Sequence, residues 1–244
     1  MSPPVFLIDS TALREDRVVL EGPEGRHAVT VRRLRPGERV DLTDGDGLLA
    51  ECVVAAVAGK DRLVLEVLAR HRHQPPSPRL VVVQALPKGE RGELAVETMT
   101  EAGVDEIVPW QAARCVTRWR PDRMDKALGR WRTTAREAAK QSRRSRLPQI
   151  PPLATTEQVA ARLAGAARAI VLHEAATVPL RAVDLPSEGE IIAVVGPEGG
   201  ITDEELACFA EAGAVAVRLG PTVLRTSTAG VAAAAILLSA TGRW

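Results

Sequence analysis

The sequence predicts an α/β protein in two parts: a small β-barrel over residues 1–73 and a largely parallel α/β sheet over residues 80–244, joined by a linker at 74–79. Three observations predict this. Short alternating segments separated by turn signals fill residues 1–70. A Pro-rich polar stretch, HRHQPPSPR at 71–79, follows them. Beyond it, apolar β-type runs alternate with helical patterns, the order that builds a parallel sheet.

In the first part, RVVLEG, ERVDLTDGDG, LLAECVVAAVAG and RLVLEVLAR each read as a strand. DGDG at 44–47 suits a hairpin turn, because Asp-Gly pairs tolerate positive φ. One helix is expected around Gly25 to Leu34, and GPEG at 22–25 reads as a turn before it. After the linker, LVVVQAL at 80–86 is a continuous apolar run, which marks a strand buried on both faces. A helix is expected from Arg91 to Ala102 with Gly103 as its terminating glycine, then a strand at VDEIVPW. WRTTAREAAKQSRRSR, 131–146, reads as a helix stopped by Pro148. AIVLHE and IIAVVG read as strands, TDEELACFAEA as a helix ended by Gly213, AVAVRLG as a strand and GVAAAAILLSA as an apolar helix.

In a parallel sheet, ligands bind beyond the carboxyl ends of the strands. Two strand exits suit that. GPEGG at 196–200 follows IIAVV; its glycines allow close backbone approach, and Thr202 with Glu205 forms a capping box directly behind it. LGPTVLRTSTAG at 219–230 again joins Gly-Pro to a helix start and carries one charged side chain, Arg225. By chemistry alone, Arg225 either stabilises an anion or ties loop carbonyls. The spacing fits neither the dinucleotide fingerprint nor a phosphate loop, and no nucleophile elbow or zinc-protease motif occurs. Group transfer from a reactive cofactor fits better than chemistry on a protein nucleophile.

Composition narrows the class further. No apolar run is long enough to span a bilayer, and the N-terminus lacks the parts of a signal peptide. Three widely spaced cysteines, Cys52, Cys115 and Cys208, argue against a disulfide framework or a zinc site and suit the cytoplasm. His71 and His73 read as a solvated linker pair, and no metal is expected. The net charge of +1 hides a block: residues 111–150 hold 12 Lys+Arg against 3 Asp+Glu. Such asymmetry points to a polyanion partner. Arg132, Arg136, Lys140 and Arg144 fall four residues apart, so on one helix they form a ridge of like charges. Repulsion along such a ridge costs a few tenths of a kcal/mol per pair, roughly, and favours phosphate contact over an idle surface.

Five stretches then carry a resemblance: KGERGELAVETMTEAGVDEIVPW from Lys88, ARCVTRW from Ala113, REAAKQSRRSRLPQI from Arg136, VVGPEGGITDEEL from Val194 and LGPTVLRTSTA from Leu219. In this order they resemble the RsmE family of 16S ribosomal RNA uridine-N3 methyltransferases, within the SPOUT superfamily. RHAVTVRRLRPGERVDLTDGDG resembles that family's PUA-like RNA-binding barrel. The resemblance implies a SPOUT-type domain with a deep C-terminal trefoil knot, S-adenosylmethionine as cofactor, a homodimer and action on 16S ribosomal RNA of the small subunit. It places the cofactor against Leu172, His173 and Glu174, then Gly196, Pro197, Glu198, Gly199, Gly200 and Ile201, then Leu219, Gly220, Pro221, Val223, Leu224 and Thr228. The family's last motif commonly has glutamate where this chain has Ser227, which removes a carboxylate from any mechanism needing a base there.

The expected reaction is methyl transfer to N3 of a uridine. Arg225 would stabilise the uracil anion, and Glu198 is the other catalytic candidate, either as a base or as a residue that orders the loop. Arg32, Arg33, Lys88, Arg91, Arg114, Arg132, Arg136, Lys140, Arg143 and Arg144 are the candidate RNA contacts. The alternatives are a SPOUT enzyme acting on another RNA and a non-catalytic RNA-binding assembly factor.

Overall fold

A computed structural model describes residues 2–244. They fall into two compact units. One comprises residues up to Pro75 together with Ala139–Leu147; the other comprises Pro76–Ala138 and Pro148–Trp244.

The first unit holds strands β1 (Val5–Leu7), β2 (Arg17–Leu20), β3 (Arg39–Thr43), β4 (Leu48–Ala58) and β5 (Arg62–Arg72) in one sheet, ordered β1-β3-β4-β5-β2. All pairs are antiparallel except β1 with β3. Alternation along the strands sends Val18, Leu20, Val40, Leu42, Leu63 and Leu65 into one core with Phe6 and Leu13. The β3–β4 hairpin turns on DGDG as expected, with Gly45 and Gly47 at positive φ and the Asp44 carboxylate accepting from the Asp46 and Leu48 backbone N–H groups. Strand β1 has no counterpart in the sequence reading, because three residues are too few to show a period of two.

GPEG at 22–25 is not a turn. It opens helix α1 (Gly22–Arg26), which runs on into a π-helical turn, His27–Val31. Pro23 presets helical φ in the first turn. Gly25 is buried where a Cβ would lie 2.1 Å from the Asp61 carbonyl oxygen and 2.7 Å from that of Leu20.

Segment 139–147, read above as part of the second domain, clusters with the first unit. Helix α3 (Met124–Gln141) ends five residues earlier than the sequence reading placed it. Arg143 takes a left-handed conformation, φ 60°, and the Arg144 N–H closes onto the Ala139 carbonyl. The chain then pairs with the hairpin: the Gly47 N–H donates to the Ser145 carbonyl and the Leu147 N–H to the Gly45 carbonyl. Lys140 is buried, its Nζ 3.0 Å from Glu24 Oε1. Arg146 pairs with Asp46 at 2.6 Å and donates to the His73 carbonyl. His71 and His73 are likewise engaged, with Glu51 and Ser145.

The second unit is a parallel sheet. Its strands are β6 (Arg79–Ala85), β7 (Glu106–Trp110), β8 (Arg168–Leu172), β9 (Glu190–Val195) and β10 (Val215–Val217), ordered β10-β8-β9-β6-β7. Every neighbouring pair is parallel. Central β6 and β9 are almost wholly buried, which is why they read as unbroken apolar runs. Helix α2 (Arg91–Ala102) ends at Gly103 with φ 103°, as its sequence predicted. Helices α5 (Asp203–Glu211) and α6 (Thr226–Ala240) complete the expected set, and α6 packs on α2. Helix α4 (Thr156–Ala164) has no counterpart among the elements expected from the sequence, although Thr155 and Gln158 form a full capping box.

Near the strand starts, Glu106 is buried between Arg162 and Arg79. Burial alone would push its carboxyl pKa up; the Arg162 and Arg79 guanidiniums outweigh that and hold it below the ordinary value. No helix of the described residues is long and apolar enough to cross a membrane.

Candidate active site

The carboxyl ends of β8, β9 and β10 lie side by side in the sheet, and the loops leaving them enclose a cleft of about 400 Å3. The β8 exit supplies Leu172, His173 and Glu174. The His173 N–H donates to the Val217 carbonyl, and His173 Nδ1 accepts from the Ala175 N–H. The β9 exit is GPEGG, a tight turn closed by the Gly200 N–H onto the Pro197 carbonyl with Gly200 at φ 76°. Gly196 is required by packing: a Cβ there would lie 2.6 Å from Ile201 Cγ1. A Cβ on Gly199 would meet Arg114 at 3.0 Å, on both its Cβ and its carbonyl oxygen.

The β10 exit is tied down first. The Arg218 N–H and carbonyl bond to Val178 and Leu180. Residues 220–225 are then exposed and line the cleft until α6 begins. Arg225 is the N-cap of α6, and its carbonyl accepts from the Thr228 and Ala229 N–H groups. Arg225 is exposed and lines the cleft, and its side chain has no hydrogen bond or ion pair among the described residues. The tie to loop carbonyls left open above is therefore absent from its side chain.

Of the positions assigned to the cofactor, all line the cleft except Gly199 and Thr228. Gly199 backs onto Arg114, and the Thr228 hydroxyl donates to the Arg225 carbonyl. The lining also includes Val195, Arg218, Thr222, Thr226 and Ala229. Glu198 Oε1 accepts from the Lys88 N–H at 3.1 Å, so this carboxylate bridges the β9 and β6 exits. Ser227 is buried at the start of α6 and lies outside the lining.

Two supporting residues escaped sequence reasoning. Gln84 is the one polar residue of LVVVQAL and is fully buried; its amide donates to the Thr226 carbonyl at 3.3 Å, joining β6 to α6. A polar side chain in a strand buried on both faces was the signal for it. In the sequence Glu205 shows only as a cap. Its carboxylate does accept from the Thr202 N–H, but Oε1 also accepts from the Ala113 N–H at 2.8 Å and the Thr156 hydroxyl at 3.2 Å. It thereby fixes α5, the 113–114 segment behind Gly199 and the start of α4. Glu205→Ala removes the buried acceptor of these three donors and is expected to cost about 2 kcal/mol. Urea unfolding should show that loss together with weaker cofactor binding, whereas a pure cap loss would leave binding unchanged.

The expected RNA contacts do not form one ridge. Lys140 is removed from the surface by its ion pair with Glu24, and Arg144 lies past the helix end. Arg132 Nε donates to the Ile150 carbonyl. Arg136 and Arg143 are exposed, as are Arg32 and Arg33 after the π-helical turn. Lys88 and Arg91 are exposed at the β6 exit, and Arg114 sits at the GPEGG loop with Nη1 3.4 Å from the Gly199 carbonyl.

Among the described residues no cysteine lines the cleft, and burial pushes the Cys52 thiol up to about 11 and raises that of Cys115. Among the described residues, no group of three His, Cys, Asp or Glu side chains is placed to hold a metal. What the cleft offers is close backbone, two guanidiniums and a helix N-terminus, which suits binding and alignment of a reactive small molecule.

The parallel α/β unit with this cleft and the small β unit before it are each matched by a family model, and together the two models define the class, an RNA methyltransferase. The model of the RNA methyltransferase domain matches residues 74–238, and that of the RNA methyltransferase PUA domain matches residues 20–68. The chain is 49% identical, over 98% of its length, to the ribosomal RNA small subunit methyltransferase E of Mycobacterium bovis, covering 93% of that protein. It is 31% identical over 86% of its length to the enzyme of that name from Bacillus subtilis, covering 85% of it. The crystal structure of a ribosomal RNA small subunit methyltransferase E from Neisseria gonorrhoeae, bound to S-adenosyl methionine, superposes with a TM-score of 0.84 at 27% identity, covering 98% of each chain. The chain belongs to the ribosomal RNA small subunit methyltransferase E family, which bears out the resemblance carried by the five motifs.

Proposed function

We propose that this protein methylates N3 of a uridine in 16S ribosomal RNA, with S-adenosylmethionine as methyl donor. The observation that carries the reading is the glycine-built cleft on three adjacent parallel strand ends, in a chain whose methyltransferase E relatives span its length. The cleft fits the cofactor: about 400 Å3 lies within the range of small-molecule sites, and at Gly196 and Gly199 the turn packs too closely for side chains. Leu172, His173 and Glu174, the GPEGG turn with Ile201, and Leu219 to Leu224 would hold it, with Gly199 and Thr228 supporting those loops from behind.

Bound S-adenosylmethionine supplies a methyl group already activated on a sulfonium. The chain's task is then to align a uracil ring and to stabilise the negative charge that develops as N3 loses its proton. Arg225 meets the uracil carbonyl oxygens, its side chain being free of protein partners. Glu198 positions the β9 exit through the Lys88 N–H.

The C-terminal segment forms the trefoil knot. Supporting this, the chain leaves edge strand β10 yet brings Thr226 to Gln84 on β6, two strands beyond β8. The protein acts as a homodimer, and Val223 and Leu224, which line the cleft, also expose apolar surface to a second copy. It works in the cytoplasm on RNA of the small ribosomal subunit. Mapping methylated uridines in 16S ribosomal RNA from cells with and without the protein tests the reading. One N3-methyluridine should vanish without it; an unchanged map overturns the assignment.

A further inference from the structure

A second cavity of the parallel unit, about 740 Å3, plays no part in the cleft. Its wall is the β6 exit, with Pro87 and Gly89 lining it, and its floor is Trp131 with Trp119. The two indoles pack edge to face, centroids 5.3 Å apart. Gly92, in the first turn of α2, admits Trp131 only because it lacks a side chain: a Cβ would lie 2.9 Å from the indole Nε1. Trp119 is only partly buried.

The rim is cationic. Arg118, Arg120, Arg123, Lys126 and Arg130 line it against a single carboxylate, Glu93. Glu93 is taken up by Arg130 at 3.4 Å, and Arg123 touches exposed Asp122 at 3.7 Å. Arg120 and Lys126 are exposed, and their side chains have no hydrogen bond or ion pair among the described residues. Five of the twelve cations of the positive block seen in the sequence thus line this cavity. Unpaired like charges around an aromatic floor are costly to the free protein and are the equipment that binds single-stranded nucleic acid: cations for the backbone, an indole for a base.

One loop separates the two cavities. Glu198 lines the cleft and accepts from the Lys88 N–H, while the neighbouring Pro87 lines the second cavity and its carbonyl accepts from the Thr117 hydroxyl at 2.8 Å. We propose that the second cavity holds a nucleotide of the single-stranded RNA flanking the target base. Its base stacks on Trp119, and its phosphates are met by Arg118, Arg120, Arg123 and Lys126. This rests on the cleft being the methyl-transfer site. Stacking tolerates any base, so the cavity secures the strand and leaves choice of uridine to the cleft.

The test uses the full-length protein and a fluorescently labelled decauridylate. Arg120→Glu with Lys126→Glu should weaken its binding at least tenfold and flatten the log–log salt dependence by roughly 1.4, the slope of two single-strand phosphate contacts. Calorimetric affinity for S-adenosylmethionine should not change. Indole fluorescence should be quenched by decauridylate in the parent, and far less in Trp119→Phe; inorganic tripolyphosphate should compete without quenching. Unchanged decauridylate binding in the double variant, in a protein that still binds S-adenosylmethionine, overturns the proposal alone. A parent that binds decauridylate through this rim but does not bind S-adenosylmethionine overturns the reading of the cleft instead. A change in sedimentation of the double variant would assign the rim to contact between copies, and that also overturns the proposal.

Discussion

Arg225→Ala is expected to lower the single-turnover rate of methyl transfer by about 10²–10³-fold, the usual effect of removing one donor from an anion-stabilising site. Affinity for S-adenosylmethionine should change little. The separation of rate from binding follows from how the residue is built in. Its backbone holds the loop, because the carbonyl accepts from the Thr228 and Ala229 N–H groups. Its guanidinium holds nothing in the protein among the described residues. Truncation therefore removes the cation and leaves the start of α6 in place. Arg225→Lys should recover part of the rate, since a point charge replaces a planar fork. Equal losses of rate and cofactor affinity would mean the side chain shapes the pocket; an unchanged rate would remove Arg225 from the chemistry.

Gly25→Ala is expected to destabilise the first unit by about 3 kcal/mol or more, the upper range for forcing atoms into a packed interior. The added methyl would lie 2.1 Å from one backbone oxygen and 2.7 Å from another, so neither obstacle can rotate away. Either α1 or the β4–β5 turn must move. The same tetrapeptide supplies the control. Gly22 has φ 66° and open space around it, so Gly22→Ala meets only left-handed strain, about 1 kcal/mol. Urea unfolding of both variants decides the matter: equal losses would mean that conformation, and not the close approach to Asp61, is what Gly25 supplies.

The two GPEG tetrapeptides show where local sequence is sufficient. At 196–199 the flanks settle it: a buried strand before, Gly200 and a Thr202–Glu205 cap after, and the structure has the expected loop. At 22–25 the same residues start a helix, with Glu24 paired to Lys140. That partner lies more than a hundred residues away, and nothing local announces it. The basic block behaves the same way. Its charge was plain in composition, and its helix could be read from residue type. Which cations stay in solvent depended on Arg143 ending the helix and on Glu24 waiting for Lys140.

The amino-acid sequence by itself determined the parallel sheet, the glycine loops at its strand ends, the helix caps and the family. Each of these is written in neighbouring residues: apolar runs, a T-x-x-E, a glycine at positive φ. Tertiary structure alone decided that residues 139–147 cluster with the first unit, that the Arg225 side chain is left unpaired, that Glu205 ties three segments, and that five cations gather around a cavity lined by two tryptophans. These depend on partners distant along the chain, and a buried charge or a close backbone contact is specified by both partners together. Periodicity reports which face of an element is apolar; it carries no record of what that face, or the charge beside it, will meet.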